Sequence, residues 1–485
     1  MRHRVTNYQI LAKLNLPITG TAGKTLRNFL LFGGLLGALL GCSPQTEITK
    51  LPVEEAGDFS LSGTADVTDR WWTDFNDKKL NSLVDSALTN NYNLQVTWQR
   101  LMAAEAVAKK QSATLFPWLD ASAQGRSSRF GGNTVLRDNL SLDASASYEV
   151  DLWGRIRSQV EAERFRAEAT RWDYKTAALS LSAEISRAWF QLLETRNQLE
   201  LINHQIETNQ KTLRLLKARF GSGQIRSVDI LRQRQLLEST REQKASLQAS
   251  KKVLENRLAV LTGQPPQEAF KYQGDSLPDM PPLPETGLPS ELLRRRPDVQ
   301  SAFNALKAAD KGVASAISNR YPRLSLSASL SSTASSSNVE DILSGWVSSF
   351  GGNLLAPLFY AGQRKAEVDR AEAVKNQRLY QYGQAVLTAY QEVEDALVQE
   401  KKQRQKIESI QKQLEMAQQS YEQLRLEYFN GMSDYLDVLT ALDEEQRLQR
   451  DLLSARMTLL EYRIALYRAL AGGFETEREG MSSER

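Results

Sequence analysis

Two stretches of the chain carry a heptad seam. Leu199, Ile202, Ile206, Leu213, Leu216 and Phe220 recur at alternating intervals of three and four, with polar Asn209 in the gap. Ile407, Ile410, Leu414, Ala417, Tyr421, Leu424 and Tyr428 repeat that spacing about 208 residues later. Such seams predict coiled-coil pairing. The helices holding them extend over about 155–220 and 363–429. At about 65 residues and 1.5 Å per residue each would be about 100 Å long, far beyond a helix of a globular core. Each is followed by a glycine turn, at Gly223 and Gly431, and a return helix, near 226–262 and 433–471. A helical segment near 78–114, and another near 297–319, opens each half.

Between these helices the period changes from seven to two. Leu140, Leu142, Ala144, Ala146, Tyr148 and Val150 alternate with Ser141, Asp143, Ser145, Ser147 and Glu149, and Leu324, Leu326, Ala328 and Leu330 alternate with Arg323, Ser325, Ser327 and Ser329. Strands are expected near 118–129, 138–150, 323–335 and 344–358, with Gly-, Ser- and Asn-rich hairpin tips at Arg129 to Thr134 and Ser331 to Asn338. One apolar and one polar face over about ten residues suits a membrane β-barrel with a wet lumen. It also suits a soluble sheet with one wet face. Phe116, Trp118, Tyr148, Trp153, Tyr321, Phe359 and Tyr360 cluster at strand–helix junctions, as an interfacial belt would. Four strands cannot close a barrel, and open edges in lipid leave backbone groups unpaired. Strands placed in a membrane therefore require several copies, with eight or twelve strands both open.

The two halves are copies of one unit. Phe220-Gly221-Ser222-Gly223 with Asp229-Ile230-Leu231 matches Tyr428-Phe429-Asn430-Gly431 with Asp437-Val438-Leu439, and Gly154-Arg155 matches Gly362-Gln363. Upstream the offset slips, pairing Ala103-Ala104 with Ala308-Ala309 and Pro117 with Pro322. The expected organisation is a first repeat at 78–262, a Pro-rich equatorial linker at 263–296, a second repeat at 297–471 and a disordered tail at 472–485. Seven prolines between Pro265 and Pro289 exclude helix from most of that linker.

The chain begins with a basic segment and an apolar run, Phe29 to Leu40, too short to cross a bilayer and suited to a signal peptide. It ends Leu39-Leu40-Gly41-Cys42, and Cys42 is the one cysteine of the 485 residues. The arrangement resembles a lipobox: residues 1–41 are removed, Cys42 is acylated, and 42–77 is a lipidated extended segment. Ser43, rather than Asp, follows, which favours sorting to the outer membrane. The formal charge of +3 comes from that signal segment; without its five basic residues, 56 basic residues face 58 acidic ones. Nothing in this balance calls for nucleic acid. With two histidines and one cysteine, no disulfide, zinc cluster or imidazole catalysis is expected, and no cofactor or enzymatic activity is anticipated.

Several stretches are similar to the outer membrane factors of the TolC superfamily, of the OprM/NodT lipoprotein type. They are Trp71-Trp72 with Phe75, Asp77 and Leu80; Tyr148 through Arg155; Leu288 through Val299, the most specific; and Pro357-Leu358-Phe359 with Gly362. The resemblance covers essentially all of residues 42–471. It implies a mainly α protein with membrane β: a homotrimeric duct whose long α-helical periplasmic barrel carries a 12-stranded outer-membrane β-barrel, four strands from each chain. It implies passive efflux of small molecules, with a periplasmic adaptor and an inner-membrane RND-type pump as partners; an ABC-type (type I) export system is the alternative partner. A periplasmic scaffold held only by lipid is the other reading of the helices. Carried over by position, Asp229 and Tyr428 match a hydrogen-bonding pair between helix pairs, and Asp437 matches a ring aspartate narrowing the pore. Gly223 and Gly431 mark the turns expected to touch the adaptor. Two departures appear: Ser433 stands where a relative has an arginine, and Thr440 where a second ring acid is common, with Asp443 one turn on. Asp229 and Asp437 also lie in first helical turns, where the helix dipole alone favours acids.

Overall fold

The structure is a computed structural model; it describes residues 57–66, 68–130, 135–266, 276–334, 342–343 and 345–483. The signal segment, Cys42, and residues 131–134 and 335–341 of the hairpin tips lie outside the described residues. The elements in chain order are α1 (Lys78–Asn90), α2 (Tyr92–Ala113), β1 (Trp118–Phe130), β2 (Val135–Val150), α3 (Arg155–Gly221) and α4 (Ser227–Leu261). There follow α5 (Pro289–Arg295), α6 (Pro297–Ser318), β3 (Arg323–Ala334), β4 (Trp346–Leu355), α7 (Gln363–Phe429), α8 (Tyr435–Leu470) and α9 (Glu477–Ser483). The duplication does not produce two domains. The chain divides into two compact units, and each takes segments from both repeats.

The first unit includes Ala108–Glu163 and Ala309–Lys375. Its strands form one antiparallel sheet in the order β1-β2-β3-β4. Register keeps the two faces largely separate, with exceptions on β4, where Leu355 pairs with Arg323, Val347 with Ser331 and Ser348 with Leu330. Leu119 pairs with Ala146 and Ala121 with Ala144; Ala146 pairs in turn with Ala328, Tyr148 with Leu326 and Val150 with Leu324; Ala328 pairs with Phe350 and Leu324 with Leu354. The opposite face is built largely of serine: Ser145 pairs with Ser329, Ser147 with Ser327, and Ser329 with Ser349. The Ser329 and Ser349 hydroxyls lie 2.8 Å apart. A one-residue slip would exchange the faces, so the alternation fixes the register. Among the described residues, the outer edges of β1 and β4 have no strand partner.

Where sheet meets helix, the two repeats are tied together. The Trp153 indole donates to the Pro322 carbonyl (2.8 Å), and Ser318 Oγ donates to the Trp153 carbonyl (2.8 Å). Asp151 accepts from the Ile156 and Arg157 amides (3.0 and 2.8 Å), satisfying the start of α3. Leu358 and Phe359 stand 94% and 87% exposed beside these junctions.

The second unit includes Thr49–Val107, Arg164–Ala308 and Asn376–Arg485. Its main core is aromatic: Trp71 stacks on Tyr467 (5.6 Å between centroids), while Phe75 meets Phe190 and Trp72 meets Phe474 edge-on (5.0 Å each). Asp77 does double duty there. Its Oδ1 caps α1 by accepting from the Lys79 and Leu80 amides, and its Oδ2 accepts from the Trp189 indole (2.6 Å). The second characteristic motif is held by charge. Buried Arg296 donates to Asp298 (2.7 and 3.0 Å), to Glu392 (2.7 Å) and to the Ala469 carbonyl (3.3 Å).

Four expectations are corrected here. The segment near 78–114 is two helices, because Asn91 both ends α1 and caps α2. It donates its amide N–H to Ala87 and its side-chain Nδ2 to the Leu261 carbonyl (2.9 Å each), and its Oδ1 accepts from the Leu94 amide (3.0 Å). The described part of the 42–77 segment is not extended throughout: a 3-10 turn, Trp71–Phe75, buries its rings. The linker's end is helical, since Pro289 sits at the first turn of α5, where its missing N–H costs nothing. The tail is not disordered up to Ser483. Phe474 is buried, Thr476 and Tyr174 share a hydroxyl–hydroxyl bond (2.9 Å), Arg478 donates to the Thr89 carbonyl, and α9 follows.

Candidate channel and gate

The helix turns of the second unit hold the residues expected to gate a pore. Both glycines end their helices in the same way. Gly223 (φ 76°) donates to Phe220 and Gln224 to Arg219; Gly431 (φ 75°) donates to Tyr428 and Met432 to Glu427. This paired bonding closes a helix through a left-handed residue, which glycine adopts without strain.

Positions equivalent by duplication occupy unlike surroundings. Asp229 is buried, with its Oδ1 free of any hydrogen bond and the Arg226 and Arg232 guanidiniums 3.9 Å away. Asp437 is exposed and accepts from Ser433 Oγ (3.2 Å). Ser433, one of the two departures noted in the sequence, thus donates to the acid expected to line the pore. An arginine does serve the turn, from the other repeat. Arg226 reaches Asp434, its own duplicate position, at 3.9 Å; the exposure of both side chains makes that pair weak.

Asp229 and Tyr428 share no hydrogen bond within the chain. The Tyr428 hydroxyl is buried without a partner, its ring lying under the Arg219 guanidinium (5.0 Å) and beside the Tyr435 ring (5.5 Å). Burial raises the Tyr428 phenol above its ordinary value; Arg219 partly offsets this. The interhelix bond is made by Tyr435, which the sequence reading overlooked. Its hydroxyl donates to Gln233 Oε1 (2.5 Å), and burial pushes that phenol strongly upward, so it stays a donor at every physiological pH.

Gln233 begins a buried polar seam joining three helices. It donates to the Asn209 carbonyl (3.1 Å); Asn209 Nδ2 donates to Thr240 Oγ1 (3.1 Å) and Gln446 Oε1 (3.3 Å). One turn on, Gln205 donates to the Gln446 carbonyl (3.1 Å) and accepts from Arg450 (2.7 Å), and beyond it Gln198 donates to the Arg450 carbonyl (2.9 Å). The buried line of α3 is thus Gln198, Ile202, Gln205, Asn209 and Leu216, while Leu199, Ile206 and Leu213 are only half-buried. Ile202 and Leu216 hold their expected places, but Gln198 and Gln205 take those of Leu199 and Ile206, because α3 packs against both α4 and α8. The second seam is apolar as expected: Ile407, Ile410, Leu414 and Ala417 of α7 pack with Leu448, Leu452 and Ala455 of α8. The signal that could have exposed the first was the heptad spacing of Gln198, Gln205 and Thr212.

Among the described residues no cluster of His, Cys, Asp and Glu could hold a metal, and no helix is long and apolar enough to cross a membrane. A two-faced antiparallel sheet and two helices of 67 residues each are the elements of a TolC-type channel. The chain belongs to the outer membrane efflux protein family, whose model matches residues 83–264 and 288–472. It is 32% identical over 472 residues to the pyoverdine export outer membrane protein OpmQ of Pseudomonas aeruginosa, covering 92% of this chain and 97% of that one. It is 28% identical to the cation efflux system protein CusC of Escherichia coli K12 (90% and 97% covered). Among solved structures, the outer-membrane channel OprN superposes with a TM-score of 0.82 at 29% identity (89% and 99% covered). The open state of the Neisseria gonorrhoeae MtrE channel superposes at 0.78 and 26% (89% and 98%). The protein is an outer-membrane efflux channel, reaching from that membrane into the periplasm.

Proposed function

We propose that three copies close a 12-stranded barrel and that this homotrimer is the passive exit duct of a tripartite pump, joined by a periplasmic adaptor to an inner-membrane RND transporter. The observation that carries this reading is the sheet: one mainly apolar face, one mainly serine face and, among the described residues, two edges without a strand partner. Each backbone group left unpaired in hydrocarbon costs several kcal/mol, so β1 of one copy must pair with β4 of the next. The serine face then lines the lumen. Cys42 carries acyl chains that hold the chain to the outer leaflet's inner partner, and several chains together anchor durably.

The chain itself does no chemistry; the pump supplies the energy. The Gly223 and Gly431 turns are the adaptor's contact. Asp437, exposed at its helix start, forms a threefold acidic ring, while Asp229 and Tyr428 set the packing behind it. Opening is a shift in helix-pair packing that the adaptor biases. OpmQ is named for pyoverdine export and CusC for cation efflux, so fold membership leaves the cargo to the pump. Purified full-length protein in detergent should have the mass of three chains, migrate heat-modifiably, and cross-link to its adaptor from a photoreactive residue at Ser222 or Asn430. A monomer that cross-links to nothing would refute the reading.

A further inference from the structure

The strand–helix junction of the first unit gathers positive charge that the fold does not use. Arg155, the first residue of α3, donates to Glu149 at the end of β2 (2.7 and 3.2 Å). Arg323, the first residue of β3, lies on the serine face two positions from Ser325, which pairs with Glu149. It donates to Asn319 Oδ1, and Arg364 in the first turn of α7 donates to the Asn319 carbonyl (3.2 Å). Arg155 and Arg364 both act electrostatically on Arg323. Among the described residues Arg364 has no carboxylate partner; it lies against the Tyr360 ring (4.9 Å), and its buried Nε–H has no acceptor. Glu149 pairs with Arg155, and among the described residues neither Arg323 nor Arg364 forms an ion pair, leaving two uncompensated guanidiniums, +2, per chain. Other acids of the serine face, Asp120 and Asp143, pair opposite Ser145 and Ser122. Along β2 these rungs are about 13 and 20 Å from Glu149, beyond the Debye length of about 8 Å in physiological salt.

A cavity of about 410 Å³ opens beside this cluster, lined by Gln111, Ser147, Glu149, Arg155, Gln159 and Ser325. Its Glu149 carboxylate is held by Arg155, its amides and hydroxyls can donate to an oxyanion, and the unpaired charge of Arg323 and Arg364 lies outside its lining. Two half-buried guanidiniums without a counter-charge are poorly solvated, and a passing carboxylate or phosphate relieves that cost. Arginine presents a fixed fork of donors to such groups.

We propose that Arg155, Arg323 and Arg364 form an anion-binding collar at the periplasmic mouth of the barrel, a site for solutes bearing carboxylate or phosphate groups on their way out. This rests on the trimeric barrel, in which the three clusters face one lumen and sum to +6. A charged ring of this kind selects by sign.

The test is block of single-channel current in planar bilayers by inorganic tripolyphosphate, added to the chamber that the barrel faces. The native channel should be blocked in a concentration-dependent manner. The Arg323→Ser, Arg364→Gln double variant should need about tenfold more blocker or higher, the loss expected for charge-assisted bonds. Arg323→Lys should retain block, and Arg323→Glu should transfer it to a polycation such as spermine. A conducting native channel that tripolyphosphate does not block would overturn the collar, as would equal block of native and double variant. If the double variant does not assemble, Arg323→Glu alone decides by the sign of its blocker. Failure of both the native protein and its Asp437→Ala variant to conduct would instead bring down the barrel on which the collar stands.

Discussion

Arg463 is fully buried, and its replacement by methionine isolates what holds the proline-rich linker on the helices. Pro281 and Pro282 cannot enter a helix or ladder, so their carbonyls need a donor from elsewhere. Arg463 Nη1 supplies it, at 2.5 and 2.7 Å. Its other nitrogens hold Glu400 of α7 at 2.6 and 2.9 Å. Glu400 keeps a second partner, Arg404 at 2.9 Å, so the variant does not strand that carboxylate completely. The linker loses two bonds from a charged donor, at about 1.5 kcal/mol each or more, about 3 kcal/mol in all. Local opening of the linker should become about a hundredfold more frequent. Hydrogen exchange of the Glu285 amide reads it, because that amide donates to the Ala65 carbonyl (2.7 Å) where the linker meets the N-terminal segment. Glu400→Gln retains both carbonyl bonds and should change Glu285 exchange less than about tenfold. If Arg463→Met leaves Glu285 within about threefold of native exchange, the clamp is not what holds the linker.

Three further outcomes are expected. Asp437→Ala should raise the conductance of the isolated channel in planar bilayers; unchanged conductance in a normally assembled trimer counts against a gating role. Gly431→Ala must place a side chain at φ 75°, at a cost of about 1 kcal/mol or more. The Met432 amide should then exchange about fivefold faster, whereas Gly221→Ala, inside its helix, should not loosen its turn. Burial opposes ionisation of Asp298, but the hydrogen bonds and charge of Arg296 outweigh it and hold the carboxyl below its ordinary value of 3.8. The stability it contributes is therefore complete above that value and lost as pH falls through the depressed one. Asp298→Asn should flatten this part of the acid unfolding curve; an unchanged curve would remove the pair from the account.

How much was readable in advance depended on whether one neighbour or several decide a residue's place. The alternation of Leu140 through Val150 located a strand and its faces, because a sheet residue has only two sides. The α7 seam was legible because Ile407 through Ala417 meet one apolar partner, α8. At Leu199 and Ile206 the α3 seam was misplaced by one position because two helices cover α3, and glutamine amides can be buried when backbone carbonyls of α8 receive them. Asn91 looked like a helical residue; only its bond to Leu261, distant in sequence, makes it a break. The tail looked polar, yet Phe474 belongs to a ring cluster built from residues about 400 positions earlier. At the turns, duplication made Asp229 and Asp437 look alike, and only packing separates the buried acid from the exposed one. Tyr435 went unnoticed for the same reason: its duplicate is Ser227, so the repeat pattern gave it no weight.

The central claim is that one chain supplies a third of a closed cylinder. Electron cryomicroscopy of full-length protein extracted from outer membranes tests it most directly. The account predicts threefold particles with twelve strands in the membrane belt, β4 of each copy paired with β1 of its neighbour and the serine face inward. Particles with another symmetry, or a four-stranded sheet left open beside detergent, would contradict it.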